Sequence, residues 1–291
     1  MALLVSCAGH RGSVSETRHF PQVNIPSVYT APEERMEYVL NHYWDDFSGV
    51  PMEEIEVALS NFIGILDNAP LADAQKAMAV LFEKICEEER ADTSAHRYIL
   101  MTQLVSRYLY DPNSPMRNED YYLPFVSLMA ESPLTPDDLR PAYRYEAESC
   151  AICQYGTVAP DFKARTAAGR TFRLYEVKAD YTMLFFSNPG CDACKEIVDE
   201  ITGVPEISRL TEEGAVAVVN VYIDEDLAAW REYEPGFPRA WINCYDVGSV
   251  IRDGRLYDVR AIPSLYLLDK DKRILLKDAP TQKVINAILN Q

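Results

Sequence analysis

The periodicity of apolar positions changes at about residue 150. Before that point apolar residues recur every three or four positions, which is the pattern of one buried face on a helix. Proline and acidic residues stand where first turns would begin, as in Pro32-Glu33-Glu34 and Pro51-Met52-Glu53. The pattern predicts an all-helical domain over residues 33–150. Besides the helices that begin at these two prolines, it predicts helices over 71–89, 94–110, 119–130 and 136–150.

Beyond residue 156 short apolar runs alternate with helical patterns. Residues 215–224 form a nearly continuous β-branched run, as in a central strand that is covered on both faces. Two further runs, 265–268 and 273–277, flank a polar turn and predict a hairpin. The alternation of strands and helices predicts an α/β domain. The remaining elements are expected over 227–233 as a helix, over 241–245 as a short strand, and from Pro280 onward as the last helix.

Length, composition and charge restrict the kinds of function that the protein can have. The 291 residues and 48% hydrophobic content are enough for two packed domains. No apolar stretch is long enough to span a membrane as a helix. The formal net charge of -17 argues against nucleic acid or an anionic membrane surface as a partner. None of the 4 histidines stands in a metal-binding pattern, so no metal cofactor is expected.

A Cys-x-x-Cys pair, Cys191 and Cys194, carries the clearest candidate chemistry. It follows an apolar run over 181–186 and the turn-forming Asn188-Pro189-Gly190, and it opens a helical pattern. In that context the spacing indicates a redox dithiol. A helix N-terminus offers unpaired N–H groups that favour a thiolate. We therefore predict that Cys191, the more N-terminal and exposed cysteine, is the nucleophile, and that Cys194 resolves the mixed disulfide.

Two segments resemble the thioredoxins. Residues 259–269, Val-Arg-Ala-Ile-Pro-Ser-Leu-Tyr-Leu-Leu-Asp, resemble the cis-proline segment, and Ala159-Pro160-Asp161-Phe162 resembles the opening of the TlpA-like and peroxiredoxin-like branch. The resemblance implies a thioredoxin-like domain over 156–291, with a central mixed sheet flanked by helices. It also implies that Pro263 is cis and acts with the dithiol, and that Ile262 and Gly190 lie against the substrate. The redox-active disulfide would be the only cofactor.

The chain departs from the thioredoxin pattern around the dithiol. Phe185 stands where thioredoxins have a buried carboxylate, and Ile197 stands where TlpA-like proteins often have Glu. Glu196 lies one residue earlier on the helix. Asp192 is expected to raise the pKa of the nucleophile through like-charge repulsion, partly opposed by Lys195. These residues together predict a reductant or a weakly oxidising exchanger.

A second pair, Cys150 and Cys153, lies at the junction of the two predicted domains. It could be a shuttle dithiol that passes electrons to the first pair. It could also join the first pair in a four-thiolate zinc site. The favoured interpretation is that these are structural thiols or a local disulfide. Cys86 and Cys244, which lie in apolar stretches, are expected to be small core residues.

The N-terminal Leu4-Val5-Ser6-Cys7 resembles a bacterial lipobox. The resemblance implies that Cys7 is lipidated and that residues 1–32 are a lipoprotein leader and a flexible tether. The protein would then lie in the envelope of a Gram-negative cell, facing the periplasm or the exterior. Its contact with the membrane would be made only through the lipid on Cys7.

The helical domain also carries a resemblance. Residues 38–47 and 111–120 resemble a helical domain of unknown function that precedes thioredoxin-like domains in envelope lipoproteins. Four tyrosines near the second segment could face a partner, or they could close the core and the contact with the thioredoxin-like domain, which is the favoured interpretation. These tyrosines are Tyr108, Tyr110, Tyr121 and Tyr122.

The leading prediction is a cell-envelope thiol–disulfide oxidoreductase, with protein thiols or disulfides as substrates and an envelope protein as electron donor. One alternative is a non-catalytic binding protein that acts through the helical domain and keeps the dithiol as a structural disulfide. A second alternative is a peroxidase. Peroxiredoxins need Pro-x-x-x-Thr/Ser-x-x-Cys, and Leu184 and Asn188 occupy the first two of these positions here.

Overall fold

The structure is a computed structural model that describes residues 18–290. The predicted lipidation site, Cys7, and residues 8–17 of the predicted tether lie outside the described residues. Between residues 18 and 290, no helix combines the length and the apolar character that crossing a membrane requires.

The first half of the described chain is helical, as the periodicity predicts. Its core encloses large side chains such as Trp44, Phe62 and Phe125, none of which is more than 1% exposed. The helices are α1 (Pro32–His42), α2 (Met52–Leu66), α3 (Leu71–Ala91), α4 (Arg97–Leu109), α5 (Glu119–Glu131) and α6 (Arg140–Cys150).

Two of these helices begin later than the periodicity predicts. The segment expected to start α4 at residue 94 is instead a 3-10 turn, Thr93–Ala95, and His96 has a left-handed backbone with φ of 49°. The segment expected to start α6 at Pro136 is a turn, in which Leu139 N–H donates to Pro136 O at 3.0 Å. The spacing of apolar residues predicts which face of a helix is buried, but the local turns before α4 and α6 determine where these helices begin.

The second half is a seven-stranded mixed sheet flanked by helices, as predicted. The strand order is β2-β1-β5-β4-β3-β6-β7; β3, β4 and β5 are parallel, and the other pairs are antiparallel. The strands are β1 (Lys163–Thr166), β2 (Thr171–Arg173), β3 (Tyr181–Phe186), β4 (Val216–Tyr222), β5 (Ile242–Asp246), β6 (Ser264–Asp269) and β7 (Ile274–Leu276). The helices are α7 (Asp192–Thr202), α8 (Pro205–Glu212), α9 (Leu227–Tyr233) and α10 (Thr281–Leu289).

The two faces of this sheet have separate cores. Met183 and Phe185 of β3 pack with Ile201 of α7 and with residues of α8 and α10. Leu184 and Phe186, which alternate with them, pack on the other face against loops and the segment that follows α6. The strand is therefore buried on both sides, which explains its continuous apolar run.

Candidate redox site

The first cysteine pair lies where β3 passes into α7. β3 ends at Phe186, and five residues later Cys191 is the N-cap of α7. Gly190 has φ of +72°, and a Cβ there would meet no atom within 4 Å. The backbone conformation, and not a lack of space, therefore favours glycine at this position. The turn directs the chain so that the helix begins immediately after the first sulfur.

Cys191 and Cys194 form a disulfide, with their Cα atoms 5.2 Å apart. The backbone N–H of Cys194 donates to Cys191 Sγ at 3.1 Å, so this sulfur occupies the usual place of an N-cap oxygen. Cys191 is half-buried, whereas Cys194 is 0% exposed. A protein partner can therefore approach the first sulfur more easily than the second.

The Ile262–Pro263 segment lies at the same edge of the sheet. Its peptide bond is cis. β6 follows directly and pairs antiparallel with β3, so that Ser264 stands opposite Phe186, the last residue of β3. Ile262 and Cys191 are both half-buried and pack against the same apolar cluster. The cis-proline loop and the dithiol are thus brought together by the pairing of β3 with β6.

The surroundings of Cys194 are apolar. The cluster that contains it also contains Phe185, which is 0% exposed and lies edge-to-face against Trp241 at 6.3 Å between ring centroids. Phe185 therefore fills with a ring the place where thioredoxins have a buried carboxylate. Burial without a charged partner opposes ionisation of a thiol.

The charged residues of α7 lie outside this cluster. Lys195 forms an ion pair with Asp199 one turn further along, and both side chains are largely exposed. The hydrogen bond that Lys195 donates to that carboxylate is the main cause that raises the pKa of Lys195, with smaller contributions from Asp192 and Glu196. From the sequence, Lys195 was expected to oppose the effect of Asp192 in part; in the structure its ion pair is with Asp199.

A buried row of hydrogen-bonded polar side chains lies beside the site and was not predicted from the sequence. Ser187 Oγ donates to Asn220 Oδ1 at 2.6 Å, and Asn220 Nδ2 donates to Asn243 Oδ1 at 3.1 Å. Asn220 stands opposite Phe185 in the register of β4 with β3. These hydrogen bonds fix the end of β3, where the turn to Cys191 begins. Their signal in the sequence was Asn220 itself, a polar residue inside the β-branched run 215–224.

Comparisons with known proteins agree with this geometry. Residues 7–149 match the domain of unknown function DUF5106, and residues 155–276 match the AhpC/TSA family. A thioredoxin-like protein from Bacteroides caccae ATCC 43185 is 38% identical, with a TM-score of 0.79 over 94% of this chain and 99% of that one. The chain belongs to the thioredoxin-like family. Below, helices α1–α6 are called the DUF5106 domain, and the segment from β1 to α10 is called the thioredoxin-like domain.

Shorter solved structures are also similar to the thioredoxin-like domain. The C-terminal domain of an uncharacterized protein from Bacteroides fragilis NCTC 9343 is 41% identical, with a TM-score of 0.46 over 48% of this chain and 100% of that one. The thioredoxin domain of a thiol-disulfide oxidoreductase from Bacteroides vulgatus is 18% identical, with a TM-score of 0.42 over 47% of this chain and 96% of that one. A search of curated proteins returns no match.

The second cysteine pair lies where α6 ends. Cys150 is the last residue of α6, and Cys153 lies three residues beyond it, in a core of the thioredoxin-like domain. Cys150 and Cys153 are both buried and unpaired, so the local disulfide considered from the sequence is not formed. Lys277 Nζ donates to the carbonyl oxygens of Ser149, Cys150 and Ile152 at 3.2, 3.4 and 2.6 Å. Burial raises the pKa of the Cys150 thiol, and it raises that of Cys153 to about 12.

The other interpretations of this pair find no support in the geometry. Cys191 and Cys194 are already joined to each other, and no cluster of three or more potential metal ligands occurs among residues 18–290. A shuttle would need an accessible thiolate, whereas Cys150 and Cys153 are 0% and 8% exposed. Cys86 and Cys244 are buried core residues, as predicted.

The tyrosines near residues 111–120 close the core and contact the thioredoxin-like domain. Tyr121 and Tyr122 are buried. Tyr110 stacks on Tyr122 at 4.9 Å between centroids, and the guanidinium of Arg260 lies 3.9 Å from the Tyr110 ring centroid. Tyr108 is half-buried and donates to Glu56 Oε1 at 2.9 Å. The favoured interpretation of this cluster is therefore confirmed.

Proposed function

We propose that this protein is a thiol–disulfide oxidoreductase that exchanges electrons with protein disulfides through Cys191 and Cys194. The observation that carries the proposal is the position of a half-buried cysteine at the N-cap of α7, disulfide-bonded to a buried one and beside the cis Ile262–Pro263 loop. Such a site can present one reactive sulfur to a partner while protecting the other.

The reaction proceeds in two exchanges. The Cys191 thiolate attacks a substrate disulfide, forms a mixed disulfide and releases one substrate thiolate. Cys194, as a thiolate, then attacks Cys191 Sγ, which closes the Cys191–Cys194 bond and releases the second substrate thiol. Two electrons pass from the dithiol to the substrate, and no further cofactor takes part. In this proposal Ile262, Pro263 and Gly190 would lie against the substrate while Cys191 attacks.

The exposed carboxylates favour the reducing direction. Asp192 and Glu196 flank the second cysteine on α7, and Lys195, the cation next to it in the sequence, is paired with Asp199. Negative charge beside the nucleophile disfavours its thiolate and so stabilises the disulfide relative to the dithiol. We expect a reductant or a weakly oxidising exchanger.

We also propose that the protein works in the cell envelope, tethered by a lipid on Cys7. The support is the lipobox-like Leu4-Val5-Ser6-Cys7 and the similarity to a thioredoxin-like protein from Bacteroides. Its partners would be protein thiols and disulfides and an envelope electron donor. A peroxidase is less well supported, because Leu184 is buried in β3 and Asn188 donates its side-chain N–H to Asp224.

The decisive experiment is a redox titration of the dithiol. The full-length protein would be equilibrated in glutathione buffers and trapped, and each cysteine would be assigned by mass spectrometry. A reversible couple between about -300 and -180 mV is expected, within the span of known exchange proteins. A Cys191–Cys194 bond that stays closed throughout that range would identify a structural disulfide and overturn the proposal.

A trapping experiment identifies the partners. In the Cys194→Ser variant, the mixed disulfide on Cys191 cannot be resolved, so substrates should remain attached under non-reducing conditions. The Cys191→Ser variant provides the matched control and should retain none of them. Equal capture by both variants would mean that Cys191 is not the attacking residue.

A further inference from the structure

Arg260, the arginine closest to the cis proline, joins its loop to the DUF5106 domain. Arg255, earlier in the same loop, also donates to Ser149 Oγ of α6 at 2.6 Å. Arg260 Nε donates to Glu119 Oε1 at 2.8 Å, and its Nη1 donates to the carbonyl oxygen of Tyr110 at 2.6 Å. Arg260 Nη2 also lies 2.7 Å from Glu119 Oε1. Together with the ring contact to Tyr110, these contacts join Arg260 to two residues of the other domain. Asp258 and Asp278 of its own domain each lie 3.6 Å from the guanidinium.

These contacts are almost free of solvent. The Arg260 side chain is 14% exposed and that of Glu119 is 2% exposed. Glu119 is also paired with Lys277 of the thioredoxin-like domain, whose side chain is 2% exposed, at 2.5 Å. A buried carboxylate needs its cations, and removing one partner leaves an uncompensated charge. The arrangement therefore resists separation far more than exposed ion pairs do.

The held segment has little regular structure of its own. Neither helix nor strand occurs between the end of β5 at Asp246 and the start of β6 at Ser264. Arg260 lies only two residues before Ile262. Such a short connection spans at most about 7 Å, so the position of Arg260 limits where Ile262 and Pro263 can lie.

We propose that Glu119 and Tyr110 of the DUF5106 domain, acting through Arg260, position the cis-proline loop against the dithiol for protein substrates. The inference rests on the proposed function. Arg260 is a positioning residue and not a catalytic one, because it reaches the reacting sulfurs only through the loop. The DUF5106 domain is then part of the substrate site. Proteins with large disulfide-bonded surfaces depend on the loop, whereas small disulfides need only Cys191.

The test compares two interface arginines of equal exposure. Arg260→Met removes the proposed positioning contact, and Glu119→Gln removes its partner. The control is Arg117→Met: Arg117 is also 14% exposed, but its Nε donates at 2.6 Å to the carbonyl oxygen of Asp278, which lies beyond β7. Each full-length variant would be assayed for reduction of insulin, for reaction with a small aromatic disulfide, for its reduction potential, and for amide exchange over residues 257–263.

The expected result is a selective loss. The kcat/KM for insulin should fall about tenfold in Arg260→Met and Glu119→Gln, with the loss mainly in KM. The rate with the small disulfide and the reduction potential should stay within about twofold of wild type, since the sulfurs are untouched. Amide exchange over the loop should become faster. Arg117→Met should leave all four readouts unchanged. The double variant that combines Arg260→Met with Glu119→Gln should lose no more activity with insulin than Arg260→Met alone.

The outcomes separate the two proposals. A wild-type protein that reduces neither insulin nor the small disulfide would refute the proposed function. A wild-type protein that reduces both, with Arg260→Met behaving like Arg117→Met, would refute the positioning role alone. If Arg260→Met fails to fold, Arg260→Lys decides: it keeps the charge but loses the paired contact to Glu119, and should show a smaller loss confined to insulin and loop exchange.

Discussion

The two Cys-x-x-Cys pairs have the same spacing, but one lies at the N-terminal end of a helix and the other lies at the C-terminal end of a different helix. Cys191 is the N-cap of α7, where its sulfur receives a backbone N–H. Cys150 is the last residue of α6, where the neighbouring backbone groups are carbonyl oxygens held by Lys277. A helix N-terminus favours a thiolate, and a C-terminus disfavours one. Spacing alone therefore does not identify a redox pair; the helix end does.

Burial strengthens this contrast. Cys191 is half-buried and bonded to Cys194, whereas Cys150 and Cys153 are buried and free. The lysines nearest to the pairs differ in the same way. Lys195 is 72% exposed beside the first pair, and the Lys277 side chain is 2% exposed beside the second. One pair is placed for exchange, and the other forms part of the contact between the domains.

The largest expected difference is in activity. Cys191→Ser should lower the rate of insulin reduction at least about thousandfold, because it removes the attacking sulfur. A double variant, Cys150→Ala with Cys153→Ala, should keep the rate within about twofold, since neither thiol reaches the substrate. Equal losses in both variants would support the shuttle hypothesis for Cys150 and Cys153 and would contradict the difference proposed between the two pairs.

The next largest effect should be on stability. Lys277→Met leaves Glu119 short of one cation and the α6 carbonyls without their donor, so the free energy of unfolding should fall by about 3 kcal/mol. Denaturant titration at neutral pH measures this. Lys195→Met is the control at the first pair and should leave the unfolding midpoint unchanged, because that side chain is exposed. A stable Lys277→Met variant would mean that the C-terminal end of α6 does not depend on the lysine.

A third prediction concerns how the stability of the folded protein changes with pH. Burial raises the pKa of Cys153 to about 12 and also raises that of Cys150, from an ordinary value of 9.0. Above pH 9 the unfolded chain loses these protons while the folded chain keeps them. The folded state then binds more protons, so stability must fall as pH rises.

At pH 10 the two thiols together should lower the free energy of unfolding by about 3 kcal/mol relative to pH 8. Denaturation of the oxidised protein, in which Cys191 and Cys194 do not titrate, would show this as a slope. The double alanine variant of Cys150 and Cys153 should have a shallower slope. Parallel slopes would show that these thiols titrate normally and are not buried as described.

Much of this contrast was available in the sequence. The apolar run before Asn188-Pro189-Gly190 indicated a strand, a turn and then a helix, which places Cys191 at a helix N-terminus by local chemistry alone. The position of Cys150 at the end of a helical pattern was equally visible. Both patterns depend on residues that are neighbours in the chain.

What could not be predicted depends on residues far apart. Glu119 meets Arg260 and Lys277 from more than a hundred residues away. A single sequence shows each as a charged residue, and charged residues are ordinarily solvated. The pairing of Ser187 with Asn220 was hidden for the same reason. Local chemistry predicted the dithiol, but only the assembled fold shows how its substrate loop is held.

The smallest expected effect concerns the charge beside the first pair. Asp192→Asn removes a negative charge next to Cys191, so the reduced protein should hold more thiolate at neutral pH and should react with iodoacetamide about twofold faster. Peptide mass spectrometry at Cys191 measures the rate. Asp199→Asn is the matched control: it removes the same charge about two turns further along α7 and frees Lys195, so its effect on Cys191 should be smaller. A slower reaction in Asp192→Asn would mean that the carboxylate acts on the sulfur through helix stability and not through repulsion. The expectation of a reducing enzyme would then lose its electrostatic basis, although the position of Cys191 at the N-cap would still distinguish it from Cys150.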